Sequence, residues 1–169
     1  VGVGDDDLWA FGNKNFTIEL WANFATPGGG SVNHPSHIFI GNDEGPGFVN
    51  KWFFALGGGV LNFHVNGPAI GDRFLPQVPF SPVLGQWYHL AVTKIGPTLT
   101  IFVDGVPAGS ADLDVPIPNA NAPLTIGQAE SLGFFSGVLD EVTIYNRALA
   151  STELQALASA GLTVKSIKD

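Results

Sequence analysis

Residues Phe16-Thr17-Ile18-Glu19-Leu20-Trp21-Ala22-Asn23 alternate with a period of two. Phe16, Ile18, Leu20 and Ala22 fall on one side of an extended chain; Thr17, Glu19, Trp21 and Asn23 fall on the other. A helix cannot present one apolar face at that spacing, so the segment constrains the chain to sheet. The period recurs in Phe48 to Leu56 and Val60 to Asn66, joined by Gly57-Gly58-Gly59, where positive φ costs little. It recurs again in Trp87 to Lys94 and Leu99 to Asp104, in Pro123 to Gly127 and in Val138 to Tyr145. Many of these strands are apolar on both faces, which predicts two stacked antiparallel sheets.

Between the strands, loops 27 to 50 and 67 to 86 read as long connections. Val106 to Pro123 reads as proline-rich and irregular, with room for one edge strand. A single helix is predicted over Ala150 to Ala160, with Leu154, Leu157 and Ala158 on one side and Gly161 as its stop. Ala150 leaves the capping box incomplete, so Ser151 is expected to take over as N-cap. The chain reads as one domain over residues 1–161, with 162–169 a tail or linker. Residue 1 is valine and methionine is absent, as in a processed chain or a fragment.

With 45% hydrophobic and only 13% charged residues, the chain has ample material for a core. Zero cysteines exclude disulfides, thiolate metal sites and cysteine nucleophiles. The net charge of −8, with basic residues scattered, argues against nucleic acid as a partner. No apolar run approaches the ~18 residues that cross a bilayer, so membrane insertion is not expected.

Four segments, taken in order, resemble a known family. They are Phe16 to Trp21, Trp87-Tyr88-His89-Leu90-Ala91-Val92-Thr93, Leu99 to Gly105, and Gly137-Val138-Leu139-Asp140-Glu141-Val142-Thr143-Ile144-Tyr145-Asn146-Arg147. Together they are similar to a laminin-G-like jelly-roll domain of the concanavalin A-like lectin and glucanase superfamily. The resemblance implies an all-β, two-sheet antiparallel jelly-roll sandwich with one short C-terminal helix. Relatives begin with a strand leading into a Gly-x-Asp-Asp pattern, like Gly4-Asp5-Asp6-Asp7. Only Val1 to Val3 precede it here, so the lead strand is expected to be short, missing, or donated by another chain across an open sheet edge.

The superfamily contains both enzymes and binding modules. Its retaining glucanases use a Glu-x-Asp-x-x-Glu strand, which places two carboxylates about 5–5.5 Å apart. No such motif occurs here: Glu19, Glu44, Glu130, Glu141 and Glu153 sit in five separate elements, and the corresponding strand reads Leu61-Asn62-Phe63-His64-Val65-Asn66. The expectation is no enzyme activity. His89, inside a strand beside Trp87, is expected to be structural, and Trp87 to pack in the core.

The resemblance also implies a structural calcium. It would join Asp140, carbonyls of the Gly12-Asn13-Lys14-Asn15 turn, and the N-terminal segment at Asp5 or Asp7. A second, peripheral site at Asn42-Asp43-Glu44-Gly45 is a weaker suggestion. Sugar recognition needs aromatic faces beside amides and acids. The candidates are Trp21, Asn23, Trp52, Asn62, His64 and Asn66, with interior packing the competing reading for the tryptophans. The expected function is therefore a non-catalytic extracellular or cell-surface recognition module, binding glycan or glycoprotein and stabilised by calcium. The alternative is a structural, self-associating module of a matrix, sheath or filament.

Overall fold

The computed structural model describes residues 1–129 and 133–167, and the side chains of its C-terminal helix as far as Gly161. Glu130, Lys168 and Asp169 lie outside the described residues. The strands are β1 (Gly2–Val3), β2 (Phe16–Phe24), β3 (His37–Asp43), β4 (Lys51–Gly57), β5 (Val60–Asn66), β6 (Arg73–Pro79), β7 (Trp87–Ile95), β8 (Thr98–Val103), β9 (Val106–Asp112), β10 (Leu124–Ile126) and β11 (Gly137–Tyr145). They form two antiparallel sheets, ordered β1-β10-β3-β4-β5-β6 and β11-β2-β7-β8-β9, followed by one helix, α1 (Ser151–Ile167). This is the expected jelly-roll sandwich.

The alternation in β2 sets the layers. Phe16, Ile18, Leu20, Ala22 and Phe24 enter the interior cluster, where they meet Phe39, Phe54, Leu61, Phe63, Leu90 and Val92. Phe11 stacks on Phe16 at 4.0 Å, and Trp52 stacks on Phe63 at 5.7 Å. Such ring pairs add about 0.5–1.5 kcal/mol beyond their buried area. The outer face of the five-stranded sheet is covered by α1 and the turn that leads into it. There Leu149 and Leu154 pack with Ala91 and Phe102, and Thr17 Oγ1 donates to the Arg147 carbonyl while accepting from the Leu149 N–H.

Two readings of the helix are corrected. The helix passes through Gly161 to Ile167 instead of stopping there. A β-carbon at Gly161 would lie 2.3 Å from Trp21 Cζ2, so this glycine serves close approach of helix to sheet. Gly161→Ala is expected to lower stability by about 1–3 kcal/mol, read in urea unfolding. Ser151 is the first helical residue, which puts Ala150 at the N-cap. Glu153 supplies the reciprocal half of the box, accepting from the Ala150 N–H at 2.8 Å while held bidentate by Arg147. These donors pull the Glu153 carboxyl down to about 2.

β3 and β6 were both expected as loop. β3 carries His37, Gly41 and two polar residues at its end, which hide its apolar run Ile38 to Ile40. β6 holds Pro76 and Pro79 and lies at a sheet edge, the position where proline is tolerated. The one edge strand allowed within 106–123 exists as β9. Ahead of Gly4-Asp5-Asp6-Asp7, β1 pairs with β10 through Gly2 and Val3.

Candidate functional site

β5 places Leu61, Phe63 and Val65 in the core and turns Asn62, His64 and Asn66 to the outer face of the six-stranded sheet. Lys51 of β4 is paired with Asn66, Asp43 of β3 with Lys51, and Phe74 of β6 with His64, so these side chains share that face. The 25–36 loop folds across it. Gly57 makes this possible, since a β-carbon there would lie 2.3 Å from the Ser31 carbonyl oxygen. The result is a cleft of about 200 Å³ with Lys51, His64, Asn66, Asp72 and Phe74 below, and Asn33, His34, Gly47 and Phe48 at its walls.

The floor is a polar network. Lys51 Nζ donates to the Gly45 carbonyl at 2.6 Å and pairs with Asp43 Oδ1 at 3.5 Å, both side chains being only 3% exposed. Burial lowers the Lys51 ammonium and raises the Asp43 carboxyl from their ordinary values. His64 Nε2 lies 3.2 Å from Asp72 Oδ1, which also accepts from Asn66 Nδ2. Burial pushes His64 down to about 4 despite the neighbouring Asp72 carboxylate. The ring is therefore neutral near pH 7, and Nε2–H donates to Asp72. His64 Nδ1 and Asn66 Oδ1 are buried acceptors with no donor among the described residues. The ring of His64 is fixed between Phe53 and Phe74, with centroids 4.3 and 4.2 Å away.

The walls are held from below. Glu44 accepts from the Asn50 N–H, the Asn50 side-chain amide and the Asn121 N–H, which fastens both ends of the 44–50 loop. That loop carries Phe48, 66% exposed, at the rim. Asp72 is the exposed carboxylate of the cleft, its side chain 38% exposed.

The expected ligand residues divide accordingly. His64 and Asn66 line the cleft. Asn62 shares their face but is fully buried, donating to the Val60 carbonyl at 3.4 Å. Trp52 lies between the sheets in the interior cluster, so its expected stacking role is corrected. Trp21, 1% exposed, belongs to the opposite sheet and is sealed by α1 against His89. Asn23 is on that sheet too, half-buried and donating to the Gly85 carbonyl at 2.7 Å. His89 is structural, its Nε2 2.7 Å from Glu19 Oε2. Trp87 is half-buried and outside the core. Phe48, Lys51, Asp72 and Phe74 were not anticipated. The one available signal was Lys51 heading an otherwise apolar strand.

The calcium donors do not converge. Asp140 sits opposite Trp21, five residues up β2 from Phe16, hence about 17 Å from the turn that enters that strand. Its Oδ1 accepts from the Glu141 N–H. The Gly12 carbonyl accepts from Ile117 N–H, and the Asn13 carbonyl accepts from Lys94 Nζ, an ammonium where the cation was expected. Asp7 accepts from Asn119, and Asp5 is exposed. At the suggested second site Lys51 likewise occupies Asp43 and the Gly45 carbonyl. Among the described residues no group of three His, Asp or Glu side chains could hold a metal ion. Asp140→Asn is expected to leave the melting temperature's response to calcium and to chelator the same as in the parent. A response abolished by the substitution would restore the Asp140 junction.

A family model described as the concanavalin A-like lectin/glucanases superfamily matches residues 3–155. Among curated proteins no sequence match reaches significance. Similar solved structures include domain 4 of AbnA, a GH43 extracellular arabinanase from Geobacillus stearothermophilus, in complex with arabinotriose. It is 19% identical with a TM-score of 0.71, over 93% of this chain and 71% of that one. The CBM40 of a Ruminococcus gnavus IT-sialidase, bound to alpha2,3 sialyllactose, is 12% identical with a TM-score of 0.67, over 93% and 92%. The binding domain of botulinum neurotoxin serotype G is 12% identical with a TM-score of 0.64, over 88% of this chain and 36% of that one. At these identities the likeness is one of fold.

Proposed function

We propose that this chain, which belongs to the concanavalin A-like lectin/glucanases superfamily, is a non-catalytic carbohydrate-binding module whose site is the cleft above β4, β5 and β6. The observation that carries the reading is the pairing of an exposed aromatic rim residue, Phe48, with a floor of fixed polar groups. A sugar ring presents an apolar face and a polar edge, and the cleft answers both. Its volume of about 200 Å³ is below the ~300–1,000 Å³ of pockets that enclose drug-sized ligands, which suits one or two sugar units at a chain end. The neighbours described as bound to arabinotriose and to sialyllactose support the class of ligand. The description of one of them as part of an extracellular enzyme supports a secreted or surface setting.

The carboxylates support binding without catalysis. A retaining glycosidase needs two that reach the scissile bond. Asp43 is sealed under Lys51, leaving Asp72 as the single exposed carboxylate among the residues lining the cleft. The assembly alternative is weakened by β11, an edge strand whose pairing shifts between Asp140 and Thr143 with Glu141 at φ 52. Such a bulge turns an edge away from further strand pairing.

Glycan-array binding followed by calorimetry tests the proposal. Phe48→Ala, on an exposed loop, is expected to weaken the best glycan by about tenfold with the melting temperature unchanged. Binding indifferent to Phe48→Ala and to Asn66→Ala would move the site elsewhere. Sugar turnover lost on changing Asp72 would overturn the non-catalytic reading.

A further inference from the structure

The charges of the cleft are not symmetrically available. Lys51 is its one ammonium, but that group is already committed to Asp43 and the Gly45 carbonyl and is nearly sealed. Arg73 turns its Nη1 back to the Asp72 carbonyl at 3.0 Å and does not line the cleft. The His64 ring uses its one N–H on Asp72. What faces an incoming ligand is therefore the Asp72 carboxylate, in a chain of net charge −8.

Asn66 Oδ1 and His64 Nδ1 are sealed from the cleft, so the floor offers no cation or free donor there to a ligand's carboxylate. A sugar carboxylate entering the cleft would have to approach Asp72. Like charges brought together in a partly desolvated site are strongly disfavoured.

We infer that the cleft selects uncharged, hydroxyl-rich sugar ends and rejects sugars bearing a carboxylate, such as sialic and uronic acids. This rests on the reading of the cleft as a carbohydrate site. It sets the chain apart from the structural neighbour described as bound to alpha2,3 sialyllactose, whose fold it shares.

The test uses the 169-residue chain and matched glycan pairs. Neutral pentose and hexose oligosaccharides are compared with the same backbones carrying a terminal sialic acid or an oxidised uronate. Neutral members are expected to bind at least about tenfold tighter than their acidic partners. Asp72→Asn keeps an oxygen that accepts from His64 and Asn66 while removing the charge. It is expected to shrink the gap to about threefold or less by improving the acidic glycans. Should that variant fail to fold, salt provides the second measurement: raising ionic strength from about 0.05 to 0.5 M should narrow the gap in the parent, since screening weakens repulsion at an exposed group. Acidic glycans that bind as tightly as neutral ones, with binding still lost in Phe48→Ala, would overturn the selectivity and leave the carbohydrate site standing. No binding by any neutral or acidic glycan would overturn the site itself, and the selectivity with it.

Discussion

Lys51→Met is expected to destabilise the domain by about 3–5 kcal/mol near pH 7, the range found when one partner of a buried ion pair is removed. The methionine fills the stem's volume, so the loss reports the charge and not a cavity. What remains is Asp43, 3% exposed, with Gly45 N–H still donating to its Oδ1 and no cation beside it. Burial already raises this carboxyl with the lysine present. Without the lysine it is raised further, so the penalty should shrink as pH falls and the acid protonates. The second arm is Lys51→Met with Asp43→Asn, which removes both charges and keeps an acceptor for Gly45. The pair of changes is expected to recover most of the loss, because well-packed neutral groups can replace a buried ion pair at little cost. Urea titrations at pH 7 and pH 5 decide it. A double variant as unstable as the single one would mean that Lys51 acts through its hydrogen bond to the Gly45 carbonyl, and the ion pair contributes little.

The same lysine shows where sequence reasoning stopped. Layers were legible because alternation is a local property: Phe16, Ile18, Leu20 and Ala22 could be assigned to one face without knowing what covered it. Asn62, His64 and Asn66 were legible as one face for the same reason. What covers a face is decided by elements far away in the chain. Trp21 and Asn62 look alike in their strands, yet one is sealed by a helix some 140 residues later and the other lies beneath a roofed sheet. Trp52 and Trp21 are both polar-tipped aromatics in strands, and only register tells that Trp52 faces the interior. Phe48 was invisible as a rim residue because it sits at the edge of an apolar run, where a strand start and a loop tip read the same. The expected calcium donors are set apart by geometry that spacing does not encode. Asp140 and the Gly12 turn belong to neighbouring strands, but their levels along those strands differ, and Lys94 reaches the Asn13 carbonyl from a third.

The second large effect is a loss of stability in mild acid that is traceable to His64. Its folded pKa is about 4, below the 6.5 of an unperturbed histidine, and burial is the principal cause. Between those values the unfolded chain binds a proton that the folded protein refuses, so the stability contributed by the neutral ring is complete above pH 6.5. It is lost progressively as pH falls, and is gone by about pH 4. The difference corresponds to roughly 3 kcal/mol, at 1.36 kcal/mol for each unit. Other groups act in the same range, the lowered Glu44 and Glu153 carboxyls among them, whose contribution begins to be lost as pH approaches 4. His37 is also lowered by burial and adds to the loss, whereas the raised Asp43 carboxyl favours the folded state on acidification and offsets part of it. All of these are retained in His64→Gln, which keeps a side-chain donor for Asp72 but cannot take up a proton. The diagnostic is therefore the difference between parent and variant in urea titrations from pH 7.5 to about pH 4. The parent should lose more stability than His64→Gln across that interval, with the gap opening below pH 6.5. Parallel curves would show that His64 binds its proton alike in both states, and that the His64–Asp72 pair is an exposed contact and not the floor of a closed cleft.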